Sequence, residues 1–158
     1  MYPYLFGHVR LQELDDRDVL EIGLGCGSLS QKIAESSARY VGLDIAAGPV
    51  EIVRHRFDSG MPGRAEQGSV LAAPFPDESF DCVITIDCLH PTCDMGRGIA
   101  ECRRMLRPGG SLVAMVYLCL LVSSLDAGAS PNPELSVVRD VGIPRCRHPR
   151  KRTGKVDI

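Results

Sequence analysis

Three glycines alternate with other residues directly after an acidic residue, in the run Glu21-x-Gly23-x-Gly25-x-Gly27. The apolar segment 19–22 precedes the glycines, and a segment with helical periodicity follows them. Glycine adopts positive φ angles and lets the backbone approach a ligand closely. A strand, a glycine loop and a helix in this order are typical of nucleotide-sized sites in open α/β sheets, although a tight turn without a ligand has the same pattern.

Two more acidic residues follow apolar segments in the same way. Asp44 ends the segment 39–44, and Asp87 comes directly after the segment 80–86. Because the carboxyl ends of parallel strands meet at one edge of a sheet, we expect both residues to lie near the glycine loop. A purely structural role as a cap of a turn or helix is the alternative for each. His90 is a candidate general base, or else a loop histidine bonded to backbone.

The elements that position these residues are five apolar segments that alternate with helical patterns. The predicted strands cover residues 19–22, 39–44, 65–68, 80–86 and 111–117. The first predicted helix is capped by Ser28 or Ser30, the second has Pro49 in its first turn, and the third runs from Asp94 to Leu106. Near-continuous apolar strands indicate a parallel sheet covered on both faces. Since crossovers are right-handed, strands one and four become neighbours. The sequence therefore predicts an α/β three-layer sandwich with a mostly parallel sheet in the order 3-2-1-4-5.

The composition indicates one domain without an obvious charged partner. The chain has 158 residues, 44% of them hydrophobic, and a net charge of −2, so nothing points to nucleic acid or a membrane surface. No secretory signal accompanies the seven cysteines, which we interpret as reduced thiols of a cytoplasmic protein. We expect residues 1–17 to form a lead-in, residues 18–122 the core domain, and residues 123–158 an irregular, basic and poorly ordered tail.

Four ordered motifs carry a resemblance to a known family. They are VLEIGLGCG at 19–27, YVGLDIA at 40–46, PFPDESFDCVITIDCLH at 74–90 and ECRRMLRPGGSLVAM at 101–115. Over residues 18–117 the chain resembles the class I S-adenosylmethionine-dependent methyltransferases, of the small-molecule kind found in ubiquinone and menaquinone biosynthesis. The resemblance implies a Rossmann-like fold, S-adenosyl-L-methionine as the cofactor and a small-molecule methyl acceptor.

The resemblance also implies roles for individual residues. Gly23, Gly25 and Gly27 let the loop approach the cofactor, and Glu21 faces its ammonium group. Asp44 accepts hydrogen bonds from both ribose hydroxyls, since a carboxylate offers two oxygens.

The remaining implied roles concern the adenine base and the methyl group. Ile45 packs on one face of the adenine. Ser69, followed by Val70, stands where the family commonly has an acid that binds the adenine amino group, and an ordinary loop serine is the alternative. Asp87 and His90 follow the fourth strand, where the family places the donor methyl group and the acceptor.

The sequence departs from the family after the fifth strand. Class I methyltransferases have two more strands, which form an antiparallel hairpin, but the segment after residue 122 is rich in Ser, Gly, Ala and Pro. We expect this hairpin to be missing or replaced, which leaves the fifth strand as an apolar edge available for self-association. A truncated, catalytically weak or inactive cofactor-binding module is therefore an alternative to an active enzyme.

Three further alternatives have little support. An NAD-dependent oxidoreductase requires Gly-x-Gly-x-x-Gly, and Ser28 stands where its third glycine is expected. The four cysteines between residues 82 and 102 lie near His90 in sequence, but they lack Cys-x-x-Cys spacing, so no metal site is predicted. The basic run 145–152 has no interleaved aromatic residues, which favours a solvated tail over nucleic-acid binding.

Overall fold

In the part of the chain that the structure describes, five parallel strands form a single sheet in the order β3-β2-β1-β4-β5. The computed structural model describes residues 11–60 and 62–115. Its strands are β1 (Asp18–Ile22), β2 (Arg39–Asp44), β3 (Arg64–Gln67), β4 (Phe80–Ile86) and β5 (Leu106–Met115). The predicted α/β class and strand order are confirmed, and β4 has the predicted bounds.

Helices cover both faces of the sheet and make it the middle of three layers. The α-helices are α1 (Ser28–Ala34), α2 (Ala47–Asp58) and α3 (Met95–Met105), with short 3-10 helices at Leu11–Leu14, Val70–Ala72 and His90–Thr92. Alternate strand residues point to opposite faces. Val19 therefore packs in the cluster that holds residues of α1 and α2, while Leu20 packs with α3. The buried residues of α2 are Val50, Val53 and Phe57, which form its inner face.

The beginning of α1 differs from the sequence prediction. Gly27, with φ 73°, is the N-cap residue, and no side chain caps the helix. The Ser30 hydroxyl instead donates to the Gly27 carbonyl oxygen at 2.8 Å. The prediction of a Ser28 or Ser30 cap was therefore wrong, because the glycine loop runs directly into the helix in a left-handed conformation.

The junction between α3 and β5 also differs. The sequence placed residue 106 at the end of the helix and began the strand at residue 111, whereas α3 ends at Met105 and β5 begins at Leu106. Leu106 pairs with Phe80, and the next pair of the ladder is Ser111 with Cys82. The residues between form an irregularity in the strand, consistent with Pro108, which has no N–H to donate.

Several predictions lie outside the described residues. They concern the end of the fifth strand at Tyr117, the missing hairpin and the poorly ordered tail. Between residues 11 and 115, apart from residue 61, no helix combines the length and the apolar character needed to cross a bilayer.

Arg104 on α3 fastens the loop that leads into β4. Its guanidinium donates to the Phe75 carbonyl oxygen at 2.8 Å and forms ion pairs with Asp77 at 2.7 Å and Glu101 at 2.9 Å. The Glu101 carboxylate accepts hydrogen bonds from the Arg104 guanidinium, which holds the pKa of its carboxyl below the usual range. Arg104 thus joins α3 to the loop before the interior strand β4.

We expect Arg104→Ala to lower the free energy of unfolding by about 2 kcal/mol, because several hydrogen bonds to a charged group disappear together. Arg103 is the matched control, since it is the neighbouring arginine and its side chain is exposed. Arg103→Ala is expected to change stability by less than about 0.5 kcal/mol. Urea denaturation of both variants makes the comparison, and equal losses would contradict the role of Arg104.

Candidate functional site

A pocket of about 210 Å³ opens at the carboxyl ends of β1, β2 and β4. Six of the residues predicted from the sequence to bind the cofactor line it together: Gly23, Asp44, Ile45, Ser69, Val70 and Asp87. The other residues that line it are Ile22, Leu43, Gly68, Cys88, Pro91 and Thr92. The predicted edge of the sheet is thus where these side chains meet.

The glycine loop has the backbone that its sequence predicts. Gly23, Gly25 and Gly27 all have positive φ angles, of 87°, 52° and 73°. A Cβ atom added to Gly23 would lie 2.7 Å from the Cβ of Cys88, whereas one added to Gly25 meets no atom of the described residues within 4 Å. Gly23 is therefore required both by its conformation and by its close approach to the segment after β4.

Gly25 and Gly27 do not line the pocket. The Gly27 carbonyl oxygen accepts hydrogen bonds from Ser30 of α1 and from the Arg56 guanidinium of α2. Gly27 therefore connects the glycine loop to these two helices. Gly25 lies at the open tip of the loop, where no described atom approaches its Cβ position.

Asp44 ties the end of β2 to the glycine loop. Its Oδ2 accepts a hydrogen bond from the Leu24 N–H at 2.7 Å, and its Oδ1 accepts one from the Ala46 N–H at 2.9 Å. Two carboxylate oxygens offer about four lone-pair directions. These bonds occupy two of them, so Asp44 still has acceptor capacity toward the pocket.

The wall beside Asp44 is largely apolar. Ile45 has 72% of its surface exposed although it is a large apolar residue, whereas Val70 is buried. Ser69 precedes the 3-10 helix Val70–Ala72, and its hydroxyl oxygen accepts the Leu71 N–H at 3.2 Å. An exposed isoleucine at the rim of a pocket offers a flat apolar contact to a ligand.

Asp87 and His90 stand on the segment after β4. Asp87 has a φ of 56°, uncommon for a non-glycine residue, and its N–H donates to the Met115 carbonyl oxygen at 3.1 Å. His90 is exposed and begins a 3-10 helix whose other residues, Pro91 and Thr92, line the pocket. The structure thus places His90 beside the pocket rather than on its wall.

Glu21 lies buried beneath the glycine loop and does not line the pocket. Its Oε2 accepts a hydrogen bond from the Tyr40 hydroxyl at 2.6 Å. Burial is the main cause that raises the pKa of Glu21 to about 8, and the nearby Asp44 carboxylate adds to it. The carboxyl of Glu21 is therefore mostly protonated at neutral pH.

This raised pKa predicts a pH-dependent stability. Between the ordinary carboxyl pKa and about 8, the folded chain keeps a proton that the unfolded chain has lost, so stability falls as the pH rises. One such group gives a slope of at most about 1.4 kcal/mol per pH unit. We expect Glu21→Gln to remove this slope, as measured by urea denaturation at several pH values. The control Glu51→Gln changes an exposed residue of α2, and an unchanged slope in Glu21→Gln would contradict the assignment.

The other residues of the pocket wall were not among the predicted site residues. The sequence places Cys88 next to Asp87, on the segment after the fourth strand where the resemblance puts the donor methyl group and the acceptor. Pro91 and Thr92 reach the pocket through the 3-10 helix that begins at His90, a short element with no distinctive pattern. Gly68 follows β3, and its N–H donates to the Asp44 carbonyl oxygen at 2.8 Å.

The family model of the methyltransferase domain matches residues 19–110. This match covers more than half of the chain and includes all the residues predicted for the site. The chain belongs to the class I S-adenosylmethionine-dependent methyltransferases. The resemblance inferred from the four motifs is thus confirmed, and S-adenosylmethionine is the cofactor of this family.

Several curated methyltransferases are similar to the chain. A demethylmenaquinone methyltransferase of Tropheryma whipplei is 32% identical over 102 residues, which are 63% of this chain and 41% of that protein. The ubiquinone/menaquinone biosynthesis C-methyltransferase UbiE of Hahella chejuensis is 35% identical over 105 residues, covering 63% of this chain and 42% of that protein. The chain thus spans about two fifths of the length of these relatives.

Solved structures share the fold of this methyltransferase domain. The YcgJ protein of Bacillus subtilis has a TM-score of 0.62 at 23% identity, covering 69% of this chain and 49% of that one. The methyltransferase CalH, solved in complex with SAH, has a TM-score of 0.60 at 22% identity, covering 70% of this chain and 35% of that one. At these identities the likeness concerns the fold alone.

The chemistry of the pocket fits the cofactor of the family. S-adenosylmethionine presents hydroxyl donors on its ribose and a flat base, and the pocket offers the free acceptor capacity of Asp44 beside the apolar Ile45 and Val70. Gly23 has no side chain to fill the space at the loop, and a Cβ there would collide with Cys88. No feature of the described wall opposes a nucleoside.

Proposed function

We propose that this methyltransferase domain binds S-adenosylmethionine in the pocket of about 210 Å³ and catalyses methyl transfer to a small molecule. The observation that carries the proposal is the meeting of three strand ends on one pocket. Gly23 follows β1, Asp44 ends β2 and Asp87 follows β4. Ligands of open α/β sheets bind at this edge, next to the point where the strand order reverses.

The nucleoside part of the cofactor fits the side of the pocket near β2. Each Asp44 oxygen accepts one backbone N–H and keeps a lone-pair direction, so both are available to the two ribose hydroxyls. Ile45 and Val70 supply the apolar contact for the base. Ligand pockets commonly measure about 300–1,000 Å³. Because this pocket measures about 210 Å³, it holds the nucleoside part of the cofactor rather than the whole molecule.

The segment after β4 is where we place the reacting groups. Bound S-adenosylmethionine supplies a methyl group on a positively charged sulfur. Asp87 and Thr92 line this side of the pocket, so the segment positions the acceptor close to the donor, which accounts for much of the catalysis in such a displacement. His90 stands beside the pocket, from where it takes a proton if the acceptor must lose one.

The acceptor class is inferred from the relatives. Similar proteins are named demethylmenaquinone methyltransferase and, for a relative 32% identical in Pseudomonas fluorescens, ubiquinone biosynthesis O-methyltransferase. We therefore propose a small quinone-like or phenolic acceptor and a cytoplasmic location. Among the described strands, β5 pairs with β4 alone, which also supports self-association through its other edge.

Calorimetric titration with S-adenosylhomocysteine tests the proposal. We expect binding with a Kd below about 1 mM and no binding of NAD under the same conditions. Methyl transfer from labelled S-adenosylmethionine to a panel of quinols and phenols then tests catalysis. Absence of binding contradicts the proposal, whereas binding without transfer to any acceptor supports the alternative of a cofactor-binding module without activity.

A further inference from the structure

We infer that Cys88 is a positioning residue for the cofactor, whose thiol fixes the peptide between Ile22 and Gly23 at the floor of the pocket. The inference rests on the proposed function, because it concerns the same pocket. Cys88 lies two residues beyond the end of β4 and lines the pocket. Cys88 follows β4, whereas the glycine loop follows β1. Its side chain therefore connects the ends of these two strands.

The geometry around the thiol defines its role. The Sγ atom of Cys88 donates to the Ile22 carbonyl oxygen at 3.2 Å, and it lies 2.8 Å from the Thr85 Oγ1 atom. A thiol carries one hydrogen, so the Thr85 hydroxyl is the donor in the second contact. The three groups form a chain from the buried Thr85 through the thiol to the last residue of β1.

Both polar groups of the peptide between Ile22 and Gly23 are thereby held from opposite sides. Its carbonyl oxygen accepts from Cys88 after β4, and its N–H donates to the Leu43 carbonyl oxygen of β2 at 2.9 Å. With both groups bonded, the plane of this peptide is fixed at the start of the glycine loop. Burial raises the pKa of the Cys88 thiol, which keeps the hydrogen needed for the bond to Ile22.

The thiol also fills the space that Gly23 leaves. A Cβ on Gly23 would lie 2.7 Å from the Cβ and 3.1 Å from the Sγ of Cys88. The cysteine side chain at residue 88 therefore packs closely only because residue 23 is a glycine. A change at Cys88 alters both the hydrogen bond and the packing of the loop against the segment after β4.

Titration with S-adenosylhomocysteine of the wild-type chain and three variants tests this role. We expect Cys88→Ala to raise the Kd about 10-fold, because the Ile22 carbonyl loses its donor. Cys88→Ser keeps a donor and is expected to stay within about 3-fold of the wild type. Cys82→Ala is the control, since Cys82 is a buried cysteine within β4 that lies outside the pocket wall, whereas Cys88 is half-buried on that wall.

The outcomes separate this inference from the proposed function. If the wild-type chain does not bind, the proposed function fails and the inference fails with it. If the wild type binds and Cys88→Ala binds equally well, or if Cys82→Ala weakens binding as much, only the positioning role is overturned. Should Cys88→Ala not fold, Thr85→Val removes the hydroxyl that orients the thiol, and about a 3-fold rise in Kd is expected. An unchanged Kd in that variant contradicts the role.

Discussion

Gly23→Ala is expected to lose binding of S-adenosylhomocysteine, with a Kd raised at least about 100-fold, and to lower stability more than the same change at Gly60, a left-handed glycine with an open Cβ position. The added Cβ would lie 2.7 Å from Cys88 Cβ, in a backbone with φ 87°. Left-handed strain costs about 1–2 kcal/mol and overpacking adds about 1–3 kcal/mol. The loop must therefore move away from the segment after β4, which opens the pocket floor.

Gly60→Ala is the matched control for this prediction. Gly60 also has a positive φ, of 105°, but within the described part of the chain a Cβ there meets nothing within 4 Å. Gly60→Ala has the strain of a left-handed backbone but no close contact of the added Cβ. We therefore expect this variant to lower the free energy of unfolding by about 1 kcal/mol and to leave the Kd for S-adenosylhomocysteine unchanged. Equal effects of the two substitutions on stability and binding would contradict the close packing of Gly23 on Cys88.

Asp44→Ala is expected to raise the Kd for S-adenosylhomocysteine about 10- to 100-fold, because hydrogen bonds to a carboxylate are worth about 1.5–3 kcal/mol. Part of this loss comes from the loop, since the Leu24 and Ala46 N–H groups lose their acceptor. Asp58→Ala is the control, because Asp58 is an exposed aspartate at the end of α2. Its Kd is expected to equal that of the wild type.

A 2′-deoxy analogue of S-adenosylhomocysteine separates the ribose contact from the effect on the loop. The wild-type chain is expected to bind the deoxy analogue about 10-fold more weakly than the parent compound, because the analogue lacks one of the two hydroxyls that donate to Asp44. In Asp44→Ala both compounds are expected to bind equally weakly. A preference for the parent compound that persists in the variant would overturn the assignment of Asp44 to the ribose.

The strands and the edge that carries the site follow from local patterns in the sequence. The apolar run of β4 predicts a buried central strand, and the alternating glycines predict the left-handed loop, since both depend on neighbouring residues alone. Asp44 was predicted because it ends an apolar run. These features needed no knowledge of contacts between distant parts of the chain.

The side-chain contacts of the site could not be predicted in the same way. Tyr40, 19 residues away in sequence, donates a hydrogen bond to the buried Glu21 carboxyl, and no local pattern indicated this partner. Cys88 reaches the Ile22 carbonyl across 66 positions of sequence. Such pairs depend on the register between β1 and its neighbours, which no periodicity reveals. The beginning of α1 was mispredicted because a left-handed glycine, rather than a serine hydroxyl, ends the loop.

Amide chemical-shift mapping with S-adenosylhomocysteine tests the central claim most directly, because it locates the bound molecule on the fold. We predict that the largest shifts fall at the carboxyl ends of the strands, on Gly23, Ile45 and Ser69. The opposite edge of the sheet offers a second cavity, of about 540 Å³, lined by residues that include Arg39 and Arg64. Shifts concentrated there, or no shifts at saturating ligand, would contradict the account.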